Sequence, residues 1–130
     1  MQVLHGSFVA IVTPFKKNGE IDYAVLENLI DWHIAEGTNG IVSVGTTGES
    51  ATLNVYEHID AIEHTVKYVN KRIPVIAGTG ANSTQEAIDL SIEAKSKGAD
   101  YTLLVTPYYN KPNQKGLIAH YEKIADSVDI

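Results

Sequence analysis

Cysteine is absent from this chain of 130 residues, and its absence excludes disulfides, thiolate metal sites and a cysteine nucleophile. Arginine is almost absent too, because Arg72 is the only one. Lysine and arginine together number 10 against 16 acidic residues, which leaves a formal net charge of −6. The chain lacks a basic cluster that would neutralise phosphate groups. We therefore expect neither a nucleic-acid partner nor an anionic membrane surface.

Long apolar runs are missing as well. No segment has the roughly 20 consecutive apolar residues that a membrane-spanning helix needs. Residues 1–6 lack the basic region and the apolar core of a secretory signal, so we expect a cytoplasmic protein. The histidines include no pair with the helical spacing and the carboxylate of a zinc protease motif. We therefore expect no metal site.

Short apolar segments rich in β-branched residues recur along the chain. They occupy residues 8–12, 41–44, 73–77 and 101–105. Each is apolar almost throughout instead of alternating, which is typical of parallel strands buried on both faces. Patterns of helical period follow them. Their apolar positions are Leu26, Leu29, Ile30, His33 and Ile34; Val55, Ile59, Ile62, Val66 and Val69; Ala87, Leu90 and Ala94, with Ile88 and Ile92 beside them; and Leu117, Ile118, Tyr121, Ile124 and Val128.

Residues typical of helix ends flank these patterns. A polar cap residue with a carboxylate three positions later predicts a helix start at Asn54, where Glu57 supplies the carboxylate. Ser83 and Glu86 repeat this pattern. The glycines at positions 37 and 98 predict helix ends. Four repeats of a strand followed by a helix predict a parallel α/β fold.

Two architectures have this repeat, a doubly wound open sheet and a (β/α)8 barrel. The units are nearly equal in length and no long crossover separates them, which favours the barrel. A complete TIM barrel needs roughly 250 residues. We therefore predict one incomplete domain, residues 1–130, that holds the first four βα units of a TIM barrel and forms a half-barrel.

The segment 45–50, Gly-Thr-Thr-Gly-Glu-Ser, directly follows the second predicted strand. The carboxyl ends of parallel strands are where α/β proteins place their binding sites. Two adjacent threonine hydroxyls, with backbone N–H groups made accessible by glycine, suit a small carboxylate or phosphate. The alternative interpretation is a glycine-rich turn that leads into a helix cap.

The segment 106–112, Thr-Pro-Tyr-Tyr-Asn-Lys-Pro, follows the fourth predicted strand. A tyrosine hydroxyl at a barrel mouth can relay protons or bind a carboxylate. The alternative is a tyrosine that packs at the mouth or in an oligomer interface. An amine nucleophile needs a desolvated position, and no lysine falls within a predicted strand, so we expect Lys111 to be solvated. We expect His33 in the core and His58 on its helix surface.

Four segments, 7–14, 45–50, 74–80 and 106–110, together resemble the dihydrodipicolinate synthase family of pyruvate-dependent aldolases. The resemblance covers the whole chain, which matches the first half or so of the family's barrel. It implies that pyruvate forms a Schiff base with a barrel lysine and, as an enamine, attacks the aldehyde of L-aspartate semialdehyde on the route to lysine. It implies no cofactor beyond this imine, and a homotetramer built as a dimer of dimers.

The resemblance also implies roles for individual residues. Thr47, with Thr46 and Gly45 beside it, would bind the pyruvate carboxylate. Thr46 would share a proton relay with Tyr109, which in this family crosses a dimer interface into the neighbouring active site. The family's Schiff-base lysine and its catalytic tyrosine lie beyond Ile130. We therefore expect the 130-residue chain alone to be inactive.

A regulatory site for L-lysine as inhibitor is implied as well. Its positions in this sequence are Ser50, Ala51, His58, Asn82, Glu86 and Tyr108. Val55 stands where some lysine-sensitive members have a histidine, which leaves the strength of inhibition open. Two other interpretations stay open. One is a stand-alone half-barrel that binds a ligand or assembles with itself without catalysis. The other is an aldolase similar to N-acetylneuraminate lyase, which shares the Gly-x-Thr-Gly-Glu element.

Overall fold

The computed structural model describes residues 4–130, and these form four βα units. Residues 1–3, which begin the segment that argues against a secretory signal, lie outside the described part. The elements are β1 (Phe8–Ala10), α1 (Tyr23–Ala35), β2 (Gly40–Ser43), α2 (Val55–Val69), β3 (Val75–Gly78), α3 (Thr84–Ser96), β4 (Tyr101–Leu103) and α4 (Gln114–Ser127). A 3₁₀ turn at Ser50–Thr52 precedes α2. Within residues 4–130 no helix has the length and apolarity required to cross a bilayer.

All four strands are parallel, and their order in the sheet is β1-β2-β3-β4. A doubly wound sheet reverses its strand order part-way, whereas a TIM barrel adds each new strand at the same edge. The order therefore confirms the predicted barrel segment over the doubly wound alternative. In the described part of the chain, β1 and β4 each have one strand neighbour, so the sheet has two free edges.

One face of the sheet packs against the helices. Val9, Ile41 and Val75 lie side by side in adjacent strands. They pack with Leu26 and Ile30 of α1, which confirms that the first helical stripe faces the sheet. Towards the carboxyl ends of the strands, a second cluster contains Val44, Ile59, Ile62, Ala77 and Leu90. The core of this half-barrel is thus the layer between sheet and helices.

The opposite face of the sheet, which we call the inner face, is partly open. Because side chains alternate along a strand, the row of Ala10, Val42 and Ile76 points away from the helices. Leu103 in β4 is 50% exposed, and Val12, just beyond β1, is 48% exposed. In a closed barrel this face would be the interior, filled by side chains from all eight strands.

Three apolar residues of the helical stripes are exposed. Val55, Ile92 and Ile118 are 53, 46 and 57% exposed. Helices α1 to α3 lie on the sheet by one face and α4 packs mainly on α3, so apolar residues on an outer flank or in a first turn remain outside. Val55 is the first residue of α2 and precedes the contact with the sheet. Helical period therefore predicted the four helices, although Val128 lies just beyond α4, and it assigned these three side chains to the wrong surface.

The second strand ends earlier than its apolar run. The run 41–44 predicts that Val44 continues the strand, but β2 ends at Ser43. Val44 has a φ of 54°, in the left-handed region that β-branched residues rarely adopt. This turn directs Val44 into the core cluster against α2. Ser43 faces α2 as well, because its Oγ lies 3.1 Å from Oγ1 of Thr65. The alternation of the strand is broken there.

The helix ends follow the predicted caps. The Asn54 side chain accepts from the N–H of Glu57, and the Glu57 carboxylate accepts from the N–H of Asn54 at 3.0 Å, which completes a capping box. Ser83 accepts from the N–H of Glu86 at 3.4 Å. The described residues show no return bond from the Glu86 carboxylate, which leaves it outside the cap. The glycines at positions 37 and 98 have φ of 86° and 92° and follow α1 and α3 as predicted.

Candidate functional site

Residues 45–50, which we call the threonine loop, lie at the carboxyl end of β2. The carbonyl of Gly48 accepts a hydrogen bond from Oγ1 of Thr13 at 2.7 Å. The N–H of Glu49 donates to the carbonyl of Thr46 at 3.1 Å and closes a turn. Thr46 and Thr47 are exposed, and neither hydroxyl has a protein partner within residues 4–130. The backbone of the loop is held in place while both hydroxyls remain available to a ligand.

Thr13 has a role that sequence patterns do not assign to it. It is 6% exposed, and a buried hydroxyl requires a hydrogen-bond partner. The Gly48 carbonyl supplies that partner, so the segment after β1 is tied to the threonine loop after β2. The sequence position of Thr13 could have indicated this role, because Thr13 follows the first apolar run just as the threonine loop follows the second.

Two cavities have Thr46 in their walls. One, of about 150 Å³, lies across the ends of β2, β3 and β4, and its wall includes Gly45, Thr46 and Gly78. The other, of about 440 Å³, has Thr46, Ser50 and Tyr108 in its wall. Among the described residues, no lysine lines either cavity. Hydroxyl and N–H donors at the meeting of three strand ends can hold a small anion, but residues 4–130 supply no lysine amine there.

The two adjacent tyrosines after β4 occupy different surroundings. Tyr108 lines the larger cavity together with Thr46. Tyr109 is 89% exposed and lines neither cavity that contains Thr46. Within one chain, therefore, the structure does not bring Tyr109 to Thr46. The loop itself is anchored, because Oδ1 of Asn82 accepts from the N–H of Tyr108 at 2.8 Å and Nδ2 of Asn110 donates to the Asn82 carbonyl at 3.2 Å.

A separate cleft of about 140 Å³, which we call the side cleft, lies between the 3₁₀ turn and the starts of α2 and α3. All six residues that the family resemblance assigns to a regulatory site line it. They are Ser50, Ala51, His58, Asn82, Glu86 and Tyr108. Val55 lines the same cleft. The chain therefore folds so that positions spread over 59 residues of sequence, 50 to 108, form one wall.

His58 is the buried polar group of the side cleft. It is 4% exposed, so the expectation of a surface position is wrong; the first turns of α2 pack against the end of β3. Its Nε2 donates to the carbonyl of Gly78 at 2.6 Å. Burial lowers the pKa of His58 below its usual value, although this bond and the charge of Glu86 oppose the change. A neutral ring with Nε2 protonated leaves Nδ1 as a hydrogen-bond acceptor.

Three further expectations concern Lys111, His33 and metal binding. Lys111 is exposed, as predicted, in a turn with a φ of 39°. His33 is only partly buried, because it lies in the last turn of α1 beside the exposed Trp32. Residues 4–130 contain no group of three or more histidine, cysteine, aspartate or glutamate side chains that could hold a metal ion.

The sequence profile of the dihydrodipicolinate synthetase family matches residues 3–130. The chain belongs to this family. A relative from Psychrobacter sp., named 4-hydroxy-tetrahydrodipicolinate synthase, is 63% identical over 127 residues, which are 98% of this chain and 42% of that protein. A relative of the same name from Thermodesulfovibrio yellowstonii is 65% identical over 125 residues, or 96% of this chain and 43% of that protein. The chain spans less than half the length of these family members.

Solved structures of family members have the same fold. The dihydrodipicolinate synthase of Acinetobacter baumannii, complexed with pyruvate, is 58% identical with a TM-score of 0.96, over 98% of this chain and 44% of that one. The enzyme of Cyanidioschyzon merolae, with lysine bound, is 44% identical with a TM-score of 0.90, over 94% of this chain and 42% of that one. These relatives are TIM-barrel enzymes, which confirms the half-barrel prediction.

Proposed function

We propose that this chain is the first half of a 4-hydroxy-tetrahydrodipicolinate synthase, which condenses pyruvate with L-aspartate semialdehyde through a Schiff base. The observation that carries the proposal is the threonine loop. Thr46 lines a cavity at the meeting of three strand ends, and the next residue, Thr47, is exposed with a hydroxyl that is unpaired within the described part of the chain. The chain is 58% identical to a synthase that was solved with pyruvate. The product belongs to lysine and diaminopimelate biosynthesis.

The threonine loop divides the work between its two hydroxyls. Thr47 holds the pyruvate carboxylate with its hydroxyl and N–H, and Gly45 lets the ligand approach the backbone. Thr46 passes protons together with Tyr109 of a second subunit, which agrees with the 89% exposure of that tyrosine in a single chain. The amine that forms the imine comes from a lysine outside residues 1–130, and the reaction needs no further cofactor.

Borohydride trapping tests the proposal. When the full-length protein is treated with pyruvate and borohydride, we expect the reduced adduct on a lysine outside residues 1–130. The 130-residue chain alone should acquire none, because no lysine of the part that the structure describes lines the strand-end cavities. An adduct on Lys111, or the absence of any pyruvate-dependent adduct on the full-length protein, contradicts the assignment.

The side cleft is proposed to bind L-lysine as a feedback inhibitor. The Glu86 carboxylate pairs with an ammonium group of the ligand, and Nδ1 of neutral His58 accepts a second bond. The support is that all six positions line one cleft and that a relative was solved with lysine bound.

Substitution of Glu86 tests this regulatory proposal. We expect Glu86→Gln to weaken L-lysine binding roughly tenfold or more in calorimetric titration, the effect of losing a bond to a charged group. Glu93→Gln, at an exposed position of the same helix, is the matched control and should leave binding unchanged. Equal binding by wild type and Glu86→Gln would contradict this use of the cleft.

A second candidate function is assembly without catalysis. The observation that favours it is the exposure of Val12 and Leu103 on the inner face, between two free sheet edges. A second copy of the half-barrel could cover this face and pair with both edges. An isolated chain that sediments as a well-folded closed dimer supports this candidate, whereas insoluble material supports the half-enzyme. An aldolase similar to N-acetylneuraminate lyase stays a further alternative, tested by the aldehyde that the full-length protein accepts.

A further inference from the structure

Gly78, the last residue of β3, is pressed against the start of the threonine loop. A Cβ atom added to Gly78 would overlap the carbonyl oxygen of Val44, and would lie 2.6 Å from its carbonyl carbon and 2.9 Å from Cα of Gly45. These are backbone atoms, which cannot rotate away as the end of a side chain can. Only glycine permits such a close approach of two backbones.

The missing side chain of Gly78 leaves space for the strained turn at Val44. This residue is 2% exposed and left-handed, with a φ of 54°. A β-branched residue keeps such a conformation only where its surroundings impose it. Gly78 lies on one side of the turn. On the other side lies Gly48, whose added Cβ would be 3.0 Å from Cα of Val44 and whose carbonyl is held by Thr13.

The turn at Val44 decides where the threonine hydroxyls are. A regular β2 strand would carry the chain straight past the sheet end. The left-handed residue instead bends it across the strand ends, so that Gly45 and Thr46 share a cavity wall with Gly78. Any displacement of the Val44 backbone is therefore passed on to Thr46 and Thr47.

Gly78 itself is held firmly in the sheet. Its carbonyl accepts from Nε2 of the buried His58 at 2.6 Å. It is also opposite Leu103 in the parallel pairing of β3 with β4. A methyl group at position 78 would therefore displace the threonine loop rather than the strand.

We propose that Gly78 is a positioning residue for the threonine loop. The Val44 carbonyl occupies the space that a side chain at position 78 would fill, and the resulting left-handed turn positions Thr46 and Thr47 for binding the anion. The identity of the anion as pyruvate rests on the proposed function. The dependence of loop position on Gly78 does not.

Gly78→Ala in the full-length protein tests the proposal, with Gly40→Ala as the matched control. Gly40 is also a strand glycine, but it lies at the amino end of β2, and its added Cβ would meet mainly the ring of Phe8, a side chain that can move. We expect Gly78→Ala to raise the KM for pyruvate about tenfold or more, because small misplacements of binding groups are costly. Gly40→Ala should stay within about twofold of wild type in KM even where it lowers the thermal midpoint.

A KM that is unchanged in Gly78→Ala, or that rises equally in both variants, overturns the proposal. If Gly78→Ala does not fold, Gly48→Ala replaces it, since its Cβ crowds the same turn less severely. That variant should raise the KM at least about threefold, and an unchanged KM overturns the proposal in that case.

Crystal structures of the variants separate this inference from the proposed function. A wild-type protein without pyruvate turnover would defeat the proposed function. The inference would still be decided by whether residues 44–47 are displaced in Gly78→Ala and superimpose on wild type in Gly40→Ala. Undisplaced residues 44–47 in Gly78→Ala overturn it.

Discussion

At the scale of single residues, the threonine loop separates the groups that hold its shape from the groups that face a ligand. Thr13 and Gly48 join the loop to the neighbouring strand end. Val44 directs its side chain into the core cluster. The hydroxyls of Thr46 and Thr47 make no such bonds within residues 4–130, and both residues are exposed. A substitution at either threonine should therefore change ligand binding more than folding.

Thr47→Val removes the hydroxyl and keeps the shape of the side chain. Loss of a hydrogen bond to a charged group costs about 1.5–3 kcal/mol, so we expect the KM for pyruvate to rise between about tenfold and a hundredfold. Steady-state kinetics of the full-length protein measure this. Thr38→Val, just before the amino end of β2, is the control and should leave the KM unchanged. A similar KM for Thr47→Val and wild type would remove the carboxylate role from Thr47.

His58 predicts a pH dependence of stability. Its folded-state pKa lies below the ordinary value of 6.5, chiefly because of burial. The unfolded chain therefore binds a proton first as the pH falls, and the free energy of unfolding decreases below about pH 6.5. Chemical denaturation of wild type and His58→Gln over this pH range measures the effect. The variant should lose the part of the decrease in unfolding free energy that His58 causes. Parallel profiles for the two proteins would contradict it.

At the scale of elements, the caps decide where each helix starts, and the starts of α2 and α3 border the side cleft. The complete box at Asn54 fixes the first turn of α2, which carries His58. The cap at Ser83 is one-sided, so Glu86 is available to the cleft wall. Local sequence thus decides where these two cleft residues stand along their helices, whereas the burial of His58 depends on its contact with β3.

Asn54→Ala should weaken α2 at its start. The variant loses the bonds that the Asn54 side chain accepts from the N–H groups of Tyr56 and Glu57, and N-cap losses cost about 1 kcal/mol. Thermal and chemical denaturation measure this decrease in the free energy of unfolding. Asn28→Ala, at an exposed position inside α1, is the matched control and should not destabilise. Equal stability of the two variants would mean that the box contributes little.

At the scale of the whole molecule, the two faces of the sheet differ in how far they are covered. A parallel sheet is normally covered on both faces. Here the helices cover one face, while Val12 and Leu103 on the other are about half exposed. The chain therefore needs a cover for the inner face, whether further strands of the same protein or another copy.

Leu103→Lys tests the role of the inner face in association. We expect the isolated 130-residue chain to self-associate with rising concentration, and a charge at the exposed Leu103 to weaken this. Sedimentation velocity measures the change. Ile92→Lys is the control, because Ile92 is similarly exposed, at 46%, but lies on α3, whose buried face packs on the other side of the sheet. An equal effect of both substitutions would show that association is not specific to the inner face.

Much of the fold was predictable because local periods and end signals agree with the tertiary arrangement. The four strands, the helices and the box at Asn54 follow from residues close together in sequence. The exposed positions of Val55 and Ile118 were not predictable in this way, because helical period does not tell which flank of a helix is covered. The buried position of His58 was missed for a related reason, since it depends on β3, about 20 residues away in the sequence.

For the site, the sequence by itself determined the residue types: two adjacent threonines after an apolar strand, in a chain that matches one family over residues 3–130. Only the tertiary structure decided their geometry. The left-handed turn at Val44 depends on Gly78 in the next strand, and the side cleft forms where several strand ends and helix starts meet. Residue types are local information, but close backbone approach and burial arise from segments that are distant in sequence.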